Sequence, residues 1–119
     1  MRLALAHVTV DCRNAAGLAA FWSQLLEEPV DDGATEHFAS IGLAGDGPRP
    51  ALMFIQVPEP RRHKNRVHVD LASGEWVAEV ERALSLGATR VGDYDEFGTR
   101  WTTLQDPEGN EFCIGAGTD

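Results

Sequence analysis

Small or apolar side chains at Ala4, Ala6, Val8, Val10 and Cys12 alternate with Leu3, Leu5, His7, Thr9 and Asp11, a face that turns polar toward its end. Alternation with period two predicts a strand over 3–12. Leu18, Phe21, Trp22, Leu25 and Leu26 then recur at helical spacing, predicting an amphipathic helix with Asn14 as N-cap and Pro29 as its stop. Strands are expected near 29–32, 37–43 and 51–57, with a turn at Gly45-Asp46-Gly47-Pro48 before the last.

The second half repeats this order. HVTVDCRNAAGLAAFWSQLLEEPV is answered by HVDLASGEWVAEVERALSLGATRV, each a histidine on an alternating strand, then a helix, then a short strand. Val67, Val69 and Leu71 form an apolar face opposite Arg66, His68 and Asp70. Trp76, Val77, Val80 and Leu84 form the helical stripe, with Ser73 as the expected cap and Gly87 at the left-handed C-terminal position. Strands near 89–94, 100–105 and 111–115 complete the half, with Asp106-Pro107-Glu108-Gly109-Asn110 as the turn before the last. The predicted class is α+β: two tandem βαβββ modules, about 1–60 and 61–119, in a single domain spanning 1–119. Their sheets are expected to form one curved, barrel-like mixed sheet with helices outside.

Each helix covers one face of its sheet, so the open faces can curve toward one another and enclose a cleft. That places His7, Thr9, His68 and Asp70 in the cleft from the first strands. Glu111 and Cys113 join them from the last strand, with Phe112 and Ile114 turned to the helix. The matching strand of the first half offers Leu52, Phe54 and Gln56 to the cleft, with Met53 and Ile55 behind, although both of its faces are apolar.

Composition narrows the partners. With 119 residues and a formal net charge of −9, the chain would repel a nucleic-acid backbone. No apolar run is long enough to span a membrane and no signal peptide is legible, so a cytoplasmic location is expected. Arg61-Arg62-His63-Lys64-Asn65-Arg66, beside two prolines, reads as a solvated connector. The two cysteines, Cys12 and Cys113, are expected to be reduced, with Cys12 a small buried hydrophobe. There is no P-loop, no GxGxxG after a strand and no HExxH. Trp22 and Trp76 belong to helix stripes. Trp101 lies on a strand whose facing the pattern leaves open, and it could stack on a planar ligand.

The paired βαβββ pattern, His7 and His68 on matched strands, and the DPEGN turn resemble the vicinal oxygen chelate superfamily of glyoxalases, extradiol dioxygenases, fosfomycin-resistance enzymes and bleomycin-resistance proteins. VPEPRRHKNRVHVDL, followed by GATRV and DPEGNEFC, is especially similar to the bacterial glyoxalase-like subgroup. The resemblance implies a small organic ligand and a homodimer. Metal-using members take a ligand from the first strand of a module and a glutamate from its last strand, seven residues after the turn aspartate. Here Cys113 stands at that position, and Glu111 lies about 7 Å short of it along the strand. His7, His68, Glu111 and Cys113 are thus the candidate metal ligands, and a thiolate-bearing set would suit zinc.

Two readings follow. One is a metal-free binder of the bleomycin-resistance kind, with no cofactor. The other is a lyase or dioxygenase using a divalent ion (Zn, Ni, Mn or Fe) held by His7 and His68. A purely structural interaction module would instead have no cleft. In the binder, Glu111 is a polar lining group hydrogen-bonded to His68 or to a ligand, and Asp70 orients such a partner.

Overall fold

The computed structural model describes residues 2–43, 45 and 50–117. It divides into two compact units, Met1–Pro60 and Arg61–Asp119. The predicted turn residues Asp46, Gly47 and Pro48 lie outside the described residues.

The first unit carries β1 (His7–Cys12), α1 (Ala15–Leu26), β2 (Phe38–Ile41) and β3 (Ala51–Gln56). β3 lies between β1, to which it is parallel, and β2, to which it is antiparallel. β1 is shorter than the alternation predicts, because its ladder begins at His7 opposite Ala51. Leu3 and Leu5, which precede it, are exposed. Asn14 caps α1 as predicted: its Oδ1 accepts from the Gly17 N–H at 3.2 Å. The helix ends at Glu27, which takes the left-handed conformation (φ 57°) while the Glu28 N–H reaches the Ser23 carbonyl. Leu18, Phe21, Trp22 and Leu25 are buried, and Phe21 and Trp22 meet edge to face at 5.6 Å.

In place of the strand expected at 29–32 there is one bridge, Val30 to Ile41. Beside it the Asp31 N–H donates to the Ser40 carbonyl at 2.9 Å, and the Asp31 carboxylate accepts from Ser40 Oγ at 2.7 Å and from the backbone N–H groups of Leu43 and Gly42. These bonds, the one from Ser40 foremost, hold its carboxyl below the usual carboxylate range against the opposing effect of burial.

The facing of β3 differs from expectation. Phe54 pairs with Val10 and Ala39, and Met53 pairs with Thr9 and Ser40. Paired residues share a face, and Phe54, Ala39 and Ile41 are almost wholly buried. Phe54 is therefore core on the helix-covered side, and Met53 and Ile55 share the open face with His7, Thr9 and Asp11. The pattern could not fix this because every residue from Ala51 to Ile55 is apolar.

The second unit carries β4 (Asp70–Ser73), α2 (Trp76–Leu86), β5 (Thr89–Glu96), β6 (Thr99–Gln105) and β7 (Glu111–Ala116), in sheet order β4-β7-β6-β5. β4 and β7 are parallel, and the other pairs are antiparallel. Neither unit's sheet is closed into a barrel. Ser73 ends β4 instead of capping α2. Its Oγ accepts from the Glu75 N–H, and Glu75 becomes the N-cap without a side-chain bond. Gly87 terminates the helix at φ 120° as predicted. Val80 and Ala83 are the buried residues of α2, and Val77 is exposed, so the predicted stripe is rotated. Phe112 and Leu104, paired across β7 and β6, are fully buried on the helix side. Among the described residues no buried side-chain nitrogen or oxygen lacks a hydrogen-bond partner.

Candidate functional site

The residues with chemistry in the second unit are brought together by the parallel pair β4–β7 and its neighbour β6. Asp70 stands opposite Cys113, Cys113 opposite Thr103, and Gly115 opposite Trp101. All lie on the face that α2 does not cover. Glu111 and Cys113 share it, while Phe112 and Ile114 are buried behind, as period two predicts. Trp101, whose facing was open, lies on this face too.

The start of β7 is held by Asn65, in the stretch read as a plain connector. Its Oδ1 accepts from the Glu111 N–H at 2.8 Å, and its Nδ2 donates to the Glu111 carbonyl at 3.1 Å and the Val67 carbonyl at 2.8 Å. One side-chain amide thus substitutes for a neighbouring strand's peptide group. The preceding turn is organised by Asp106, which is nearly buried. Its Oδ1 accepts from the N–H groups of Glu108 and Asn110, and both carboxylate oxygens receive the Asn110 side-chain amide. Gly109, at φ 88°, completes the turn. Together these bonds fix where β7 begins, and hence which side chains reach the open face.

That face forms a concavity of about 790 Å³, with His68, Asp70, Tyr94, Trp101, Thr103 and Cys113 in its lining. Tyr94 and Trp101, paired across β5 and β6, stack at 5.4 Å with their planes 21° apart. Gly92 makes room for this arrangement: a Cβ there would meet the Tyr94 hydroxyl at 3.1 Å. Gly115 leaves the sheet bare beside the Trp101 indole, where a Cβ would lie 3.3 Å from Trp101 Cβ.

The polar groups pair selectively. His68 Nε2 lies 3.2 Å from Asp70 Oδ1, so the imidazole has the orienting carboxylate expected of it. Glu111 turns instead to Lys64, 3.9 Å away. Cys113 Sγ lies 3.3 Å from Thr103 Oγ1. Burial, first of all, pushes the Cys113 thiol above its ordinary 9.0. The Asp70 and Glu111 charges add to the rise, and the Thr103 hydrogen bond opposes it. Cys113 is therefore a protonated thiol at neutral pH, which disfavours it as a nucleophile. Both cysteines are buried and neither is in a disulfide.

One donor from each of His68, Asp70 and Cys113 lies within 4.8 Å of the others. Their types fit the three-ligand arrangement of a catalytic zinc, provided that the thiol loses its proton. This is a different set from the one expected: Asp70 stands in it and Glu111 does not. His7 and Thr9 belong to the open face of the first unit, where both are exposed. Gln56 is engaged at the end of β3, its Oε1 2.7 Å from His37 Nδ1 and its Nε2 donating to the Arg13 carbonyl at 2.9 Å. Sequence reasoning missed Asn65, Tyr94 and Thr103. Only Tyr94 left a signal, as an aromatic on a predicted strand.

The fold agrees with the comparisons. The chain belongs to the glyoxalase-like domain family of the vicinal oxygen chelate superfamily, and the family model matches residues 7–115. Similar solved structures include a glyoxalase/bleomycin resistance protein/dioxygenase family enzyme from Burkholderia phytofirmans PsJN, at 19% identity and TM-score 0.75, with 96% of this chain and 98% of that chain covered. A mutant of the fosfomycin resistance protein FosX from Listeria monocytogenes, complexed with Mn(II) and 1S,2S-dihydroxypropylphosphonic acid, matches at 18% identity and TM-score 0.77, covering 99% and 93%. FosX from Mesorhizobium loti matches at 16% identity and TM-score 0.74, covering 99% and 95%. A search of curated proteins finds no match. Among the described residues no helix is long and apolar enough to cross a membrane.

Proposed function

We propose that the chain is a small-molecule binder of the bleomycin-resistance kind, acting in the cytoplasm as a homodimer of single two-module domains. The second module's open face holds the organic ligand without a complete metal-ligand set. The observation that carries this reading is the stacked Tyr94–Trp101 pair beside the bare backbone of Gly115, within a concavity that polar side chains also line. Such sites bind through apolar and aromatic walls and obtain orientation from a handful of polar contacts. Thr103, Cys113 and the His68–Asp70 pair supply the contacts here. His7 and Thr9 are proposed as polar groups of the first module's own open face, a separate candidate surface. Phe54 lies in the core and Gln56 is bonded to His37 and the Arg13 carbonyl, so neither is part of the proposed surface.

The second reading is a metal-dependent lyase or dioxygenase, and the convergence of His68, Asp70 and Cys113 favours it. Those three residues would hold the ion, which would act as a Lewis acid toward adjacent substrate oxygens. Metal analysis and native mass spectrometry of protein purified without a His-tag distinguish the two. The binder reading expects substoichiometric metal that His68→Ala does not change. Stoichiometric Zn, Ni, Mn or Fe that disappears in His68→Ala would overturn it in favour of the enzyme.

A further inference from the structure

The binding reading above leaves the class of ligand open, and the lining of the same concavity narrows it. Three aromatic side chains, Tyr94, Phe97 and Trp101, share that lining with three carboxylates, Asp70, Glu96 and Glu111. The basic groups there are Lys64 and His68, already placed against Glu111 and Asp70. Leaving the imidazole out of the count, one lysine against three carboxylates leaves a formal charge of −2 on the lining, within a chain of net charge −9. A low-dielectric concavity concentrates such a field on whatever enters it.

Phe97 adds an independent signal. It sits in the hairpin between β5 and β6 at φ 55°, followed by Gly98 at φ 74°. A two-residue turn with both residues at positive φ favours Asn-Gly, and a bulky side chain at the first position is disfavoured. The Phe97 ring is also 94% exposed. Backbone strain held in an exposed aromatic at the lip of a concavity is the kind of outlier that accompanies ligand clamps. Tyr94 and Trp101 stack on one another with their planes nearly parallel, and an outer face of such a stack attracts cations as well as rings.

We propose that this site selects a planar organic cation, an aromatic ring system bearing a protonated or quaternary nitrogen. Its ring lies on an outer face of the Trp101–Tyr94 stack, Phe97 closes over its edge, and Asp70 and Glu96 balance its charge. Calorimetric titration of the intact chain with three planar probes tests this: proflavine as the cation, anilinonaphthalene sulfonate as the anion and coumarin as the neutral ring. Proflavine is expected to bind at least about tenfold more tightly than the other two. Trp101→Leu should weaken proflavine about tenfold, Trp101→Phe should retain most of the affinity, and Glu96→Gln should weaken proflavine about threefold without weakening the other probes. Circular dichroism confirms that each variant is folded. If coumarin or the sulfonate binds as well as proflavine, the cation preference is wrong and the binding reading stands. If proflavine binds the Trp101→Leu and Glu96→Gln variants as tightly as the parent, it sits elsewhere and the proposal falls. If no probe binds, both readings fall together.

Discussion

The two modules share one plan and differ in what they place on the open face. Registers align them position by position. Thr9 opposite Met53 in the first corresponds to Asp70 opposite Cys113 in the second. Ser40, opposite Met53, matches Thr103, opposite Cys113. Phe38, opposite Ile55, matches Trp101, opposite Gly115. The first module therefore places Thr9, Met53 and Ile55 where the second holds a carboxylate, a thiol and a bare glycine. The helices differ in the other direction. α1 buries a continuous stripe from Ala15 to Leu25, whereas α2 buries only Val80 and Ala83. The first module shows how the repeat is stabilised, and the second shows how it is adapted to hold something.

The largest predicted effect sharpens the core side of that contrast. Phe54→Ala removes a wholly buried ring from beneath α1 and should cost about 3–5 kcal/mol, read from urea denaturation. A cost below about 1 kcal/mol would return Phe54 to the open face. Next is Asp106→Ala, which strips the acceptors from the Glu108 and Asn110 N–H groups. It should cost about 1–3 kcal/mol and loosen amide-exchange protection at the start of β7. Unchanged protection at Glu111 would mean that Asn65 alone sets the strand.

Gly115→Ile installs the first module's residue in the second. It should weaken any ligand that rests on Trp101 by about tenfold, because the new side chain occupies the bare strip beside the indole. Undiminished binding in the folded variant would show that the strip is not used.

The Cys113 thiol gives a smaller effect, on stability against pH. Its folded-state value is raised, so its contribution is fully present below 9.0, the ordinary value, and is lost as pH rises through the folded one. Cys113→Ser should flatten the alkaline loss of Tm above about pH 9 relative to the parent. Parallel Tm curves in that range would contradict the burial of the thiol. Smallest of all is Lys64→Met. Its pairing with Glu111 is largely solvent-exposed on the lysine side, and stability should move by less than about 0.5 kcal/mol in a thermal melt.

The sequence carried most of the architecture because local rules act independently in each segment. Asn14 and Gly87 marked helix ends, and alternation in β7 separated Glu111 and Cys113 from Phe112 and Ile114. Where a strand is apolar on both faces, as in β3, period two has nothing to report, and Phe54 was turned the wrong way. Long-range side-chain bonds were equally silent. Asn65 and Glu111 are 46 residues apart, and nothing at either position announces the amide clamp. Asp31 was hidden for the same reason, since a carboxylate that bonds the end of a neighbouring strand looks like any acidic residue in a short strand. The site was partly legible. His68, Asp70, Glu111 and Cys113 were named, yet Glu111 turns to Lys64 while Asp70 takes its place beside the imidazole.

A proflavine titration of isotope-labelled protein, followed by amide chemical shifts, most directly tests whether the second module's open face receives a ligand. The account predicts that the largest shifts fall on Trp101, Thr103, Cys113 and Gly115, together with the Trp101 indole N–H. Saturable binding that leaves those signals unmoved would contradict it.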